Sequence, residues 1–371
     1  MIVRRCTVRL IQRAMDGEVW NPRVRWNEKR MLLVFVESGC GKVGVGEAWL
    51  TGGTPTAISA IVEDDLAPRL VGENPFRIAA ALHDEVRRSV EISGRIGAVA
   101  AAWSAVETAL LDLQAKLLDL PLCQLLGQVH EAVPVYASAG LYGQDKSPDD
   151  LAAEVERWVR QGFDAVKIKV AGAPLTEDVR RVAAVREAIG PTPKLMVDAL
   201  YNCDVAGALA LARALAPYDI AFLEAPVSPF DVEGLAALAR QSPIPLCGNE
   251  NMAWTHHFRR LVEQRAVSFV QFDVAACGGI REGRRIGELA HAFGLPCTLH
   301  AASTAVLYAA SLHLAAALPN SHSVEYHMLH RWLWDLVPED TFVVDHSRMR
   351  PPPGPGIGVA LTPDDRFDAR A

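Results

Sequence analysis

The run AVKIKV (165–170) alternates Val166, Ile168 and Val170 with Lys167 and Lys169. On a parallel strand whose apolar face packs against helices, both ammonium groups point to the opposite face. Two neighbouring charges in a partly desolvated site lower each other's pKa, which makes one lysine a candidate general base. Lysines reaching solvent from a rim are the alternative. Further along, Asp198, Glu224 and Glu250 close three apolar runs at intervals of 26 residues. If those runs are adjacent strands, three carboxylates meet at one point, where they need a cation. With no Cys or His among them, these hard oxygen donors select Mg²⁺ over zinc. Three separate rim acids, each paired with a basic residue, are the competing reading. Asp273 and His300 close the next two runs. A carboxylate beside an imidazole fixes its tautomer and raises its pKa, as acid–base work requires. Glu325 closes the last run and, taken alone, reads equally well as a solvated rim acid. His256 and His257 fall in a helical stretch where surface histidines are expected. His327 and His330 follow the last run with no partner that spacing identifies, so none of these four is assigned to the site.

What positions these residues is a repeat. Short apolar runs recur at 133–140, 165–172, 194–200, 221–227, 244–250, 269–275, 296–302 and 323–326, each but the last followed by a polar helical stretch. Their C-terminal polar residues are Ser138, Lys169, Asp198, Glu224, Glu250, Asp273, His300 and Glu325, in steps of 31, 29, 26, 26, 23, 27 and 25 residues. Each step accommodates one strand, one helix and two short loops. Eight such units predict a (β/α) barrel with its active site at the strands' C-terminal ends, and an open doubly wound sheet is the structural alternative. In the ring, strands two and seven lie roughly 135° apart, so Lys169 and His300 can approach one substrate from opposite faces.

The first hundred residues differ, with strands at 4–11, 31–38 and 42–49 and helical spacing over 56–92 and 99–120. They predict a separate α+β domain. The segment 15–29 between the first two strands is polar but carries Trp20 and Trp26, as a lid over the site would, and Arg23 or Arg25 there could pair with a second substrate carboxylate. After 326 the chain is irregular, and PPPGPGIGV (351–359) reads as structural turn rather than helix, central strand or dinucleotide loop.

Composition removes other classes. The chain has 371 residues, 50% hydrophobic and 22% charged, with 37 basic against 44 acidic residues and a net charge of −7. That balance argues against nucleic acid as a partner. No apolar stretch reaches the ~18 residues of a membrane span. The N-terminus alternates like a strand and has no signal-peptide core. Seven scattered cysteines without CxxC spacing point to reduced thiols and a cytoplasmic location.

The whole constellation resembles the mandelate racemase subgroup of the enolase superfamily: KxK on strand two, Asp–Glu–Glu on three to five, Asp–His on six and seven, Glu on eight. AWSAVETALLDLQAKLLDLPLCQLLG (102–127), DVAACGGIREGRRIGELAHAFGLP (273–296), VGVGEAW (43–49) and PGPGIGVAL (353–361) are similar to further segments of that family. The resemblance implies a modified TIM barrel, (β/α)7β, at 129–330, an α+β capping domain at 1–128, and a C-terminal segment at 331–371 that returns to the cap. It implies Mg²⁺ on Asp198, Glu224 and Glu250, and Lys169 as one base with Lys167 depressing its pKa and touching the substrate carboxylate. His300, oriented by Asp273, is the other acid/base, and Glu325 an electrophile toward the carboxylate or enolate oxygen. The substrate is a small hydroxy-carboxylate, and relatives are symmetric homo-oligomers. Expected chemistry is removal of a proton α to a carboxylate, leading to dehydration of an acid sugar. Racemisation or epimerisation with the same residues and, remotely, a non-catalytic barrel are the alternatives. Cycloisomerisation usually goes with a strand-six lysine, where this chain has Phe272 and Asp273. Two departures stand out: Leu200 occupies a position that is commonly Asn, with Asn202 further on, and Asn249 precedes Glu250 where Gly is commoner.

Overall fold

Residues 1–15, 17–50, 54–93, 97–365 and 367 are described in the computed structural model. Strands β1 (Val3–Ala14), β2 (Val19–Trp20), β3 (Glu28–Ser38) and β4 (Val43–Ala48) come first. β1, β3 and β4 form an antiparallel sheet. The expected helix over 56–92 is broken into α1 (Pro55–Ala60), a π-helical turn, α2 (Ala67–Leu70) and α3 (Pro75–Ser93), because Gly72 takes a left-handed φ of +86° and Pro75 opens a new helix. α4 (Ala98–Leu118) and the short α5 (Leu122–Leu125) follow.

α4 lies directly on β4, and two glycines make that approach possible. A Cβ on Gly44 would sit 2.0 Å from the Ala109 carbonyl oxygen, and one on Gly46 would sit 2.1 Å from that of Ala105. The VGVG of this strand is therefore a packing requirement of the helix, not a loop signal.

The eight apolar runs are all strands: β5 (Val133–Ser138), then after β6 (Tyr142–Gly143) and α6 (Pro148–Arg160), β7 (Ala165–Lys169). α7 (Leu175–Ile189), β8 (Lys194–Asp198), α8 (Val205–Leu215), β9 (Ile220–Glu224), α9 (Val232–Ala239) and β10 (Leu246–Gly248) continue the alternation. α10 (Thr255–Glu263), β11 (Phe269–Asp273), α11 (Ile280–Ala292), β12 (Cys297–His300), α12 (Ala305–Ala316) and β13 (Ser321–His327) complete it. The parallel ladder runs β5–β7–β8–β9–β10–β11–β12–β13 and closes through β13 onto β5. This is a (β/α)7β barrel, so the open-sheet alternative is set aside. Val166, Ile168 and Val170 pack outward into the main core, while Lys167 and Lys169 turn to the lumen, as alternation requires.

Register places the polar strand ends at one level: Lys169 lies beside Asp198, Asp198 beside Glu224, and Asp273 beside His300. Two ends differ from expectation. β10 stops at Gly248, so Glu250 lies two residues past it. β13 runs on to His327, because that residue pairs with Ser138 of β5, so Glu325 is internal to its strand.

The chain after β13 packs on the barrel and already touches the first sheet, where Arg13 of β1 pairs with Asp335 at 3.2 Å. Trp334 stacks on Tyr308 of α12 with ring centroids 4.5 Å apart, and β14 (Arg348–Met349) pairs with β5. From Gly356 onward it runs along α4: Ile357 N donates to Asp112 at 2.8 Å, and Lys116 donates to the Val359 carbonyl at 3.0 Å. Positions 366 and 368–371 of the expected C-terminal segment lie outside the described residues, as do 16, 51–53 and 94–96 of the expected cap. Among the described residues no helix is long and apolar enough to cross a membrane.

Gly46→Ala should push α4 off β4 and destabilise the protein by about 3 kcal/mol, read as a lower urea midpoint at unchanged slope. A midpoint equal to the parent's would show that α4 does not rest on this strand as described.

Candidate active site

Five carboxylates are buried at the barrel mouth: Asp198, Glu224, Glu250, Asp273 and Glu325. Lys167 enters from β7 into their midst. Its ammonium lies 2.7 Å from both Glu224 oxygens, 3.0 Å from Glu325 Oε1 and 3.6 Å from Asp198 Oδ2. Burial opposes charge on Lys167, but Glu224 and Glu325 outweigh it and hold the ammonium well above its ordinary pKa. The expected mutual depression of the two lysines is therefore not what governs Lys167, which is held as a fixed cation. Lys169 pairs with Asp198 Oδ2 and lines the open cavity above. Position thus separates two lysines that the sequence could not.

The acids respond unequally. Burial would raise Asp198, yet Lys169 and Lys167 hold it down at about 2. Burial and the neighbouring Asp198 push Glu224 up to about 8 despite Lys167. Glu250 is likewise raised by burial, and it accepts a hydrogen bond from the Tyr201 hydroxyl. Glu325 goes the other way: against the effect of burial, Lys167 and His300 hold it well below the usual carboxylate range. An ionised carboxylate only accepts hydrogen bonds. Held in that state, Glu325 faces Lys167 and His300 as an acceptor, 3.0 Å from the ammonium and 3.4 Å from Nε2.

On the far wall, His300 Nδ1 is 2.7 Å from Asp273 Oδ2, and its Nε2 is 3.4 Å from Glu325 Oε2. Asp273 is itself anchored by the Ala275 amide at 2.7 Å. Burial pulls the imidazole pKa down, but Glu325 and Asp273 carry it to about 9. Trp49, just past β4, packs on the His300 ring at 5.4 Å between centroids.

The cavity of about 240 Å³ between these walls is lined by Lys169, Glu250 and His300, and at its other end by residues of the first domain. Of the four lid residues expected from sequence, Arg23 and Trp26 line it. Trp20 and Arg25 stack on one another at 4.2 Å, and Trp20 belongs to β2, which pairs with β6. Arg23 donates to the Tyr201 carbonyl.

Sequence reasoning missed Lys29, Tyr201, His327 and His330, all of which line the same cavity. Alternation along β13 could have found His327, since it shares a face with Glu325. No comparable signal marks Lys29 or His330. His256 and His257 sit half-buried on α10, away from the cavity lining. Of the two departures, Leu200 adopts φ +43°, donates its amide to Asp198 Oδ1 at 2.8 Å and lines the cavity. Asn202 is exposed and bonds the Ala171 carbonyl, so it does not replace a missing Asn in the site. Asn249 is fully buried, with its Oδ1 unpartnered.

A family model described as the N-terminal domain of Mandelate racemase / muconate lactonizing enzyme matches residues 22–127, and one described as Enolase C-terminal domain-like matches 150–365. The chain belongs to the mandelate racemase / muconate lactonizing enzyme family. Arabinonate dehydratase of Saccharolobus solfataricus is 32% identical over 326 residues, covering 88% of this chain and 87% of that protein. A 3,6-anhydro-alpha-L-galactonate cycloisomerase of Streptomyces coelicolor is also 32% identical, with 89% of each chain covered. The crystal structure of a racemase from Streptomyces coelicolor A3(2) with bound magnesium superposes with a TM-score of 0.88 at 29% identity, covering 97% of both chains.

Members of this superfamily use Mg²⁺. Among the described residues, no three His, Cys, Asp or Glu side chains are already gathered round one point at ligating positions. The donor set nevertheless suits a hard divalent cation: carboxylate oxygens from consecutive strands, with Lys167 standing in as the cation between Glu224 and Asp198. Glu224, at about 8, registers the shortage of positive charge there.

An imidazole that titrates near 9 in the folded chain and near ~6.5 unfolded binds its proton more tightly when folded. Its stabilising contribution is whole below about 6.5 and is lost as pH rises through about 9. In an NMR titration of metal-free protein, the His300 ring should titrate near 9. Asp273→Asn should move that midpoint down by roughly one unit or more. An unmoved midpoint would remove Asp273 as its cause.

Proposed function

We propose that the protein is a Mg²⁺-dependent acid-sugar dehydratase, converting an aldonate or aldarate to a 2-keto-3-deoxy acid. The observation that carries this reading is the pairing across one cavity of Lys169 with an imidazolium, His300, kept charged by Glu325 and Asp273. Elimination of water needs a base at the α-carbon and an acid at the β-oxygen, and this wall-to-wall arrangement supplies both. The dehydratases among the relatives, which include those of D-xylonate, D-gluconate and L-rhamnonate, support it.

Asp198, Glu224 and Glu250 would hold the metal, which when bound supplies positive charge to the substrate carboxylate as the enolate builds. Lys169, as the neutral amine, takes the α-proton and becomes the ammonium, and the C–H electron pair becomes the enolate. When the enolate collapses, the C–O bond at the β-carbon breaks, and the leaving oxygen takes the proton from His300 Nε2 and departs as water. The enol so formed tautomerises to the keto acid. Asp273 keeps its hold on Nδ1 throughout, so Nε2 is the nitrogen left to donate. Lys167 lends a fixed positive charge beneath the reacting carboxylate.

In D₂O with Mg²⁺, ¹H NMR of a panel of aldonates and aldarates should show loss of the α-proton signal and new methylene resonances. Chelation should stop the reaction and Mg²⁺ restore it. Lys169→Met should lower the rate by about 10²–10⁴-fold. Exchange at the α-carbon with no new skeleton would make the protein a racemase or epimerase. Acid released from a lactone or anhydro sugar would make it a cycloisomerase, a reaction that relatives at 30–32% identity perform. Exchange in no acid of a broad panel would favour the non-catalytic barrel.

A further inference from the structure

The three carboxylates of the proposed metal site are not held alike. Asp198 and Glu224 end β8 and β9, where the parallel ladder fixes their backbones side by side. Lys167 pairs with both of them, and Lys169 pairs with Asp198. Glu250 has neither support. It lies two residues past the end of β10, and among the described residues no ion pair reaches it. The side chain that meets it is neutral: the Tyr201 hydroxyl donates to Glu250 Oε2.

Tyr201 is itself firmly seated. It is buried, its amide donates to the Ala225 carbonyl at 2.5 Å, and its carbonyl accepts from Arg23. The proton transfers proposed above do not use it. Its bond brings no positive charge to Glu250, so what it supplies is orientation. A carboxylate free to turn can offer both oxygens to one cation, whereas Glu250, with Oε2 turned to the hydroxyl, has Oε1 left to offer. That difference separates hard cations. Ca²⁺ takes carboxylates through one oxygen or two in a flexible shell, while the smaller Mg²⁺ demands near-octahedral placement of each oxygen.

We propose that Tyr201 is a positioning residue that presents Glu250 to the metal through one oxygen and thereby favours Mg²⁺ over Ca²⁺. This rests on the reading of Asp198, Glu224 and Glu250 as the metal ligands and adds what sets the choice of ion.

Calorimetric titration of the metal-free protein with MgCl₂ and with CaCl₂, in the absence of substrate, tests this without turnover. Tyr201→Phe keeps the ring and removes the hydroxyl. It should weaken Mg²⁺ binding by about 10–100-fold, the range for losing a group that orients a metal ligand. Ca²⁺ should weaken less, so that the preference for Mg²⁺ shrinks by about tenfold. Tyr136→Phe is the control, because that buried phenol lies beside Lys167 with its hydroxyl unpartnered, and it should leave both affinities where they were. A Tyr201 hydroxyl that merely supports the fold would lower the urea midpoint and leave the preference for Mg²⁺ intact. Unchanged Mg²⁺ affinity in Tyr201→Phe, equal weakening of both ions, or the same shift in Tyr136→Phe would each overturn the positioning role. Glu250→Gln tests the reading beneath it and should also weaken Mg²⁺. If it does and Tyr201→Phe does not, the metal site stands and the role of Tyr201 falls alone. Mg²⁺ affinity unmoved in Glu250→Gln, or no Mg²⁺ binding by the parent, would overturn the ligand assignment and the role of Tyr201 with it.

Discussion

Burying carboxylates beside one another is the constraint on which this molecule turns. Five of them reach the barrel mouth, and each costs several kcal/mol to desolvate unless opposite charge lies close. Lys167 meets three of the five within 3.6 Å from a position two residues below the rim of β7. That depth decides its role. A lysine so enclosed cannot follow a substrate or release its proton, while Lys169, two residues on, opens into the cavity. The same scarcity of positive charge splits Asp198 from Glu224, one held down at about 2 and the other raised to about 8. The two lysines are what make such a cluster tolerable.

The first domain is part of the active-site wall rather than an appendage to it. Glu47 of β4 accepts from Thr304 Oγ1 at 2.5 Å, and Thr304 caps the N-terminus of α12 immediately beyond His300. The strand then continues to Trp49, whose ring lies on His300. Because α4 is seated on Gly44 and Gly46 of this same strand, the helix, the strand, the indole and the imidazole form one continuous packed path. His300 is thus oriented from two sides, by a hydrogen bond to Asp273 in the barrel and by packing from outside it. Orientation of that kind matters to an acid, since misplacement by even about 1 Å can cost two orders of magnitude in rate.

The barrel and its ring of polar strand ends were legible because period-two alternation and a spacing near 26 residues are both written in the chain. Lys169, Asp198, Glu224, Asp273 and His300 end their strands as expected, since in a parallel ladder neighbouring registers follow from the length of each βα unit. What stayed hidden depends on contacts between distant segments. Nothing local distinguishes Lys167 from Lys169, because their difference is depth in a lumen that exists only when eight strands close. Lys29 reads as one more charge at the start of a strand until the first domain is laid over the barrel. Tyr201 reaches Glu250 because Leu200 and Tyr201 both take left-handed φ, which turns the chain back over the rim. Such a turn at two non-glycine residues has no sequence signature.

The two ends of the cavity differ in kind. Around Lys167 every charge is coupled to several others, so replacing any one disturbs all of them; chemistry there is held by electrostatics that tolerate little change. Around His330 lie Lys29 of β3, bonded to the Ala302 carbonyl, Trp26 just before that strand, and His327 at the end of β13. Relatives 32% identical to this chain include an arabinonate dehydratase and a 3,6-anhydro-alpha-L-galactonate cycloisomerase. The charged wall of Lys169, Glu250 and His300 and the wall formed with the first domain thus face one another across a single cavity.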